Sequence, residues 1–152
     1  MDELVRLSAR EAVALLRARE ITPMELLDAA ARRIEAVEGR LNALPTLCLE
    51  RARDRARRIS ESRPADVAGP FLHGLPVAVK DLEDVSGVRT TYGSPLFAGH
   101  VPGRSCTMVR NLEARGAVVI GKSNTPEFGA GGHTFNEVFG TTVNPWDTRK
   151  SC

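Results

Sequence analysis

The chain has 152 residues, 42% hydrophobic and 26% charged. That balance excludes a disordered or fibrous polymer and allows one domain with a packed core. A formal net charge of +2 is too small to argue for a nucleic-acid partner, and no apolar run reaches the roughly 18 residues a membrane span needs.

In chain order, "MDELVRLSAREAVALL" carries two early acids and lacks the apolar stretch of a secretion signal, so it reads as the start of a cytoplasmic protein. The segment "SAREAVALLRARE" predicts a helix with a capping box from Ser8 to Glu11. "TPMELLDAAARRIEAVEG" predicts a second helix, with Thr22 as N-cap, Pro23 at the first helical position, Glu25 completing the box and Gly39 as the stop. Leu26, Ala30, Ile34 and Val37 share one face. A third helix is expected around "LERARDRARRISES", whose arginines read as a solvated face. Arginine outnumbers lysine 18 to 3 in the whole chain, a bias with no functional content of its own.

"SRPADVAGP" has linker composition. Beyond it the pattern changes. "LPVAVKD" predicts a short buried strand, and a long turn-rich segment follows. "SCTMVRNLEARGA" predicts a helix capped by Ser105, with Met108, Val109 and Leu112 inward and Gly116 as the stop. "AVVIG" predicts a second strand, and strand–helix–strand implies a parallel pair. The fold class is α/β, with N-terminal helices over 1–62 and a βαβ core over 70–152 in one domain. The last thirty residues show no period and read as a long loop.

Gly116 to Ser123 fit the phosphate-loop pattern G-x-x-x-x-G-K-[ST]. The context contradicts it. Its four variable positions are Ala117, Val118, Val119 and Ile120, which suit a strand and not a loop of inward N–H groups. Nucleotide binding is therefore disfavoured, Lys122 reads as a strand-end lysine reaching solvent, and Ser123 and Asn124 as turn residues.

Lys80 closes an apolar strand at the end where α/β proteins place their sites. Its plain reading is a snorkelling lysine. Its chemical reading is a base that desolvation keeps neutral and that activates a hydroxyl nucleophile. Cys48, Cys106 and Cys152 have neither disulfide nor zinc spacing and are expected as reduced thiols. His73, His100 and His133 form no ligand pair, so no metal or cofactor is expected.

Together, "GPFLHGLPVAVKDLEDVSGVRTTYGS", "GAVVIGKSNTPEFG" and "NEVFGTTVNPWD" resemble the amidase signature family, and the helical opening is similar to that family's N-terminal helices. The resemblance runs from about Ser8 to the end of the chain. It implies cleavage of a carboxamide to carboxylate and ammonia or amine through a serine–cis-serine–lysine triad, with Lys80 as the lysine. It also implies that Gly129, Gly131 and Gly132, in "GAGGH", border a small-molecule amide substrate. The family's Gly-Gly-Ser-Ser-Gly-Gly stretch follows "NPWD", whereas this chain stops at Cys152. The expectation is thus an N-terminal portion only: the incomplete start of an α/β/α mixed-sheet fold, inactive in isolation for want of both serines. The alternatives are a non-catalytic remnant or binding module, or the amidase subunit of a glutamine-dependent transfer-RNA amidotransferase. Expected partners are a second copy or amidotransferase subunits, with no membrane and no direct nucleic-acid contact.

Overall fold

A computed structural model describes residues 3–61 and 71–152, so the linker-like "SRPADVAGP" lies outside the described residues. The chain divides into two compact units. One comprises Met1–Ile34, Cys48–Val77 and Asn111–Ile120, the other Glu35–Leu47, Ala78–Arg110 and Gly121–Cys152.

Helix α1 (Ala9–Ala18) begins with the expected box: Ser8 N–H donates to Glu11 Oε2 at 2.7 Å and Glu11 N–H to Ser8 Oγ at 3.3 Å. Helix α2 (Pro23–Leu41) repeats the device between Thr22 and Glu25, at 2.8 and 3.2 Å. Each box satisfies end N–H groups that would otherwise lack partners. Gly39 does not stop α2. The helix runs on to Leu41, and Asn42 takes the left-handed position (φ 51°), donating its N–H to Glu38 O at 2.9 Å. Asparagine tolerates that conformation because its short amide can bond locally.

In the first unit Ala12, Leu16 and Leu26 form a buried cluster edged by Leu4, Leu7, Ile21 and Leu75. Leu27 and Ala29 of α2 are fully buried, while Ala30 is only half-buried. Burial of a leucine side chain contributes about 1.5–3 kcal/mol. Helix α3 (Leu49–Glu61) buries only Ala52, Ala56 and Ile59. Its arginines meet acids: Arg51 with Glu113 at 2.7 Å, Arg53 with Asp28 at 3.4 Å and Arg57 with Asp54 at 3.2 Å. The two exposed pairs, Arg53–Asp28 and Arg57–Asp54, are worth at most about 1 kcal/mol each.

Strands β1 (Thr46–Leu47), β2 (Pro76–Lys80) and β3 (Val118–Ser123) form a sheet in the order β1–β3–β2. Val118 N–H donates to Leu75 O at 2.9 Å, and Asp81 N–H donates to Ser123 O at 3.0 Å. Both strands therefore advance together, and the predicted parallel pair is present. β1 is the addition: it runs antiparallel to β3, with Thr46 opposite Lys122 and Leu47 opposite Gly121. Helix α4 (Thr107–Ala114) lies between β2 and β3 in sequence. It buries Val109 but leaves Met108 45% exposed, so Met108 is not inward. Ser105 is not seen capping it; its Oγ accepts the Ser86 N–H at 2.9 Å.

The closing segment departs most from expectation. Instead of a long loop it holds two hairpins: β4 (Phe135–Asn136) with β5 (Gly140–Thr141), and β6 (Val143–Asn144) with β7 (Asp147–Ser151). Asparagine side chains build them. Asn136 Oδ1 accepts the N–H groups of Val138 (2.9 Å) and Phe139 (2.7 Å), shaping the first turn. Asn124 Nδ2 donates to Gly140 O and Thr142 Oγ1, both at 3.1 Å, and Asn42 Nδ2 to Phe139 O at 2.7 Å. Asn144 Oδ1 accepts the N–H of Trp146, which stands 91% exposed on the second turn. Strands of two residues carry no alternation to detect. The expected incomplete start, helices and a βαβ unit followed by loop, is thereby corrected to helices and three sheets across nearly the whole described chain.

A Cβ placed on Gly121 would lie 2.6 Å from Thr46 O of the neighbouring strand. Gly121→Ala is expected to lower the unfolding free energy by about 1–3 kcal/mol in urea titrations; an unchanged midpoint would reject this close approach.

Candidate active site

The site grows from the end of β2. Ala78 and Lys80 are exposed, whereas Val79 and Asp81 are buried, the alternation a pleated strand imposes. Lys80 thus stands on the open face, without the desolvation expected of it, and Asp81 is driven inward. There Asp81 meets Lys122. Its Oδ1 lies 3.1 Å from Lys122 Nζ, and both side chains are fully buried. Lys122 also donates to Thr90 Oγ1 at 2.8 Å. Asp81 Oδ2 accepts the Thr91 N–H at 3.0 Å and the Thr91 hydroxyl at 2.5 Å. The Thr91 hydroxyl oxygen in turn accepts the Gly93 N–H at 3.0 Å.

Lys122 is therefore no strand-end lysine reaching solvent. Burial pushes its ammonium below the usual lysine value, and the attraction and hydrogen bond of Asp81 oppose that push. The strand reading of its neighbourhood stands, since Val118 and Val119 are fully buried and the main chain pairs within the sheet. Nothing local in the sequence signals the Lys122–Asp81 pair, because 41 positions separate its members.

The turn after Asp81 is held as firmly. Tyr92, in the left-handed region (φ 53°), donates its N–H to Asp81 O at 3.0 Å and its phenol to Asp84 Oδ1 at 2.6 Å. Phe128, also left-handed (φ 49°), donates its N–H to Tyr92 O at 2.7 Å. A non-glycine residue in that region costs of order 1–3 kcal/mol, and such strain gathers at functional sites. Tyr92 packs edge-on to Phe97 at 5.1 Å and stacks on His100 at 5.9 Å, and Phe97 meets Phe128 at 6.2 Å. Gly129 (φ 73°) follows, and a Cβ there would lie 2.7 Å from Leu82 Cδ1. The glycine segment is thus brought against the residue two places after Lys80. Gly131 and Gly132 are exposed, and nothing lies within 4 Å of a Cβ on Gly132.

His73 is edge-on to Phe71 at 4.9 Å, and His133 Nδ1 lies 3.1 Å from Ser151 Oγ. None of the three cysteines is joined in a disulfide, and the Cys48 thiol donates to Val119 O at 3.3 Å. Among the described residues no group of three His, Cys, Asp or Glu is placed to hold a metal ion, and no helix is long and apolar enough to cross a membrane.

A family model described as Amidase matches residues 25–152. The chain belongs to the amidase family. Among curated proteins, a subunit of the glutamyl-tRNA(Gln) amidotransferase from Anaeromyxobacter dehalogenans (strain 2CP-C) is 40% identical over 149 residues, 98% of this chain and 30% of its own length. Among solved structures, a vestigial protein complex linked to the origins of an s-triazine catabolic enzyme superposes with a TM-score of 0.87 at 33% identity. It covers 95% of this chain and 32% of the matched chain. A bacterial aryl acylamidase of the amidase signature family superposes with a TM-score of 0.83 at 27% identity, over 93% of this chain and 30% of its own.

These matches support the amidase and hydrolase descriptors and correct two expectations. The amidase match is near full length for this chain, residues 25–152 of 152, and does not single out an N-terminal portion. The inactive fragment, and the doubt it cast on an enzyme assignment, give way to an amidase-family domain related to the matched amidotransferase subunit. The chain spans about 30% of the length of the curated relatives it matches.

Removing one partner of a buried ion pair leaves the other charge uncompensated. Lys122→Met is expected to cost about 3–5 kcal/mol of stability, and Asp81→Asn/Lys122→Met to regain most of it. Equal losses in the two variants, measured by chemical denaturation, would reject the pairing. A second test uses the chain's single tyrosine. The hydrogen bond to Asp84, ahead of burial and the nearby carboxylate charges, raises the Tyr92 phenol to about 12. Phenolate absorbance should titrate near that value in the native protein, near 10 in urea, and lower in Asp84→Asn than in the unsubstituted protein. Because the folded phenol holds its proton longer than the unfolded one, this contribution to stability is complete below pH 10 and is lost as pH rises toward 12. A native midpoint near 10 would reject the Tyr92–Asp84 bond.

Proposed function

We propose that the chain serves amide-bond cleavage with Lys80 as the proton acceptor, in a cytoplasmic protein related to the matched amidotransferase. The observation that carries this reading is the placement of Lys80: exposed at the end of β2, on a main chain gripped from the opposite side by buried Asp81. A base needs an accessible nitrogen on an unyielding support. Lys80 takes the proton of a hydroxyl nucleophile as that oxygen attacks the carboxamide carbon. The C–N bond then breaks, ammonia or an amine departs, and water hydrolyses the acyl intermediate.

Gly129, Gly131 and Gly132 fit a substrate wall, because a loop without side chains lets backbone N–H groups approach a small amide closely. The kinship with a subunit of a glutamyl-tRNA(Gln) amidotransferase favours glutamine as the amide donor and assembly with partner subunits.

Ammonia release from glutamine and from simple aryl and aliphatic carboxamides tests the reading. Lys80→Ala is expected to lower turnover at least about 100-fold with an unchanged thermal midpoint. No release by the unsubstituted protein, or full activity in Lys80→Ala, would overturn it.

A further inference from the structure

We propose that Asp81, Lys122 and Thr91 form a positioning device that aims Lys80 through the main chain. This inference rests on the reading of Lys80 as the base. Lys80 and Asp81 are adjacent, so whatever fixes the Asp81 carboxylate fixes the peptide from which Lys80 projects.

That carboxylate is fully engaged. Oδ1 faces Lys122 Nζ at 3.1 Å, and Oδ2 receives both the N–H and the hydroxyl of Thr91. The main chain is tied as well. Asp81 N–H donates to Ser123 O, Asp81 O accepts the Tyr92 N–H and Lys80 O accepts the Glu83 N–H, each at 3.0 Å. Six hydrogen bonds thus converge on two residues, and only the Lys80 side chain points into the open.

Stability alone does not account for an ionic arrangement here. A buried ion pair is often no more stabilising than apolar residues of the same volume. What the charged arrangement supplies is direction. An apolar pair would pack equally well in several orientations, whereas bonds to both carboxylate oxygens admit one. Small misplacements of a catalytic group are expensive in rate, up to about 100-fold for 1 Å.

Thr91 offers the cleanest test, because valine keeps its volume and loses its hydroxyl, while serine keeps the hydroxyl. Thr91→Val is expected to lower kcat for glutamine or an aryl amide about 10-fold, with KM within about 2-fold. Thr91→Ser is expected to restore kcat to within about 2-fold. Equal kcat in the two variants, or a loss confined to KM, would overturn the proposal. Lys80→Ala, assayed beside them, separates the two ideas: its retained activity would sink the reading of Lys80 as base, whereas its inactivity beside an unaffected Thr91→Val would sink the positioning role alone.

A second readout needs no turnover. The chain has three lysines, Lys80, Lys122 and Lys150. Lys122 is fully buried, and the Lys150 side chain is 73% exposed and serves as internal standard. Acylation by acetic anhydride, located by peptide mass spectrometry, should show the Lys80-to-Lys150 ratio shifted at least about 2-fold in Thr91→Val and unshifted in Thr91→Ser. An unshifted ratio in Thr91→Val would count against positioning.

Discussion

A lysine and an aspartate paired away from water organise the second unit. Lys122 comes from β3 and Asp81 from the end of β2, so their contact locks two parallel strands in register at the point where both chains leave the sheet. Desolvating two charges is unfavourable, and their attraction offsets it only when the remaining donors and acceptors are satisfied. Thr90 and Thr91 supply that satisfaction, and they recruit the turn that follows β2. Tyr92 and Phe128, each in the left-handed region, are held by bonds issuing from that turn. The strained backbone is thus tied by main-chain hydrogen bonds to the residue that carries the buried carboxylate.

The parts of the fold legible in the sequence are those that local chemistry determines. Ser8 with Glu11 and Thr22 with Glu25 announce helix starts because a box needs only residues three apart. β2 and β3 announce themselves through contiguous apolar residues. The missed parts depend on distant partners. β1 is two residues long and exists because Thr46 and Leu47 meet Lys122 and Gly121. The closing hairpins are built by Asn42, Asn124, Asn136 and Asn144, residues that read as turn formers whether or not strands flank them. Gly39 misled for the converse reason: glycine is strongly favoured just past a helix, yet here the left-handed stop falls to Asn42, whose side-chain amide is bound to Phe139 O.

The site was legible to a similar depth. Lys80 stands out at the end of an apolar strand. Lys122 ends a comparable strand and drew the same plain reading, yet one lysine is exposed and the other fully buried. The difference lies in strand position: β2 is at the edge of the described sheet and has an open face at Lys80, whereas the central β3 is buried on both faces from Val118 to Lys122. Which strand lies centrally follows from sequence only once the pairing of the strands is known. Asp81, lying next to Lys80, was visible; its role was not, because the residues that grip it come from two other segments.

The exposed tryptophan has a practical consequence. Trp146 is the chain's only tryptophan, and it stands in water at the tip of the last hairpin. Its emission reports the solvent around one turn, and melting of the helices or of the three-stranded sheet alters that environment little. Intrinsic fluorescence is a poor gauge of global unfolding for this protein, and circular dichroism of the helices is the sounder one. The same property makes Trp146 a selective sensor: a quencher or a macromolecule approaching the last hairpin registers there.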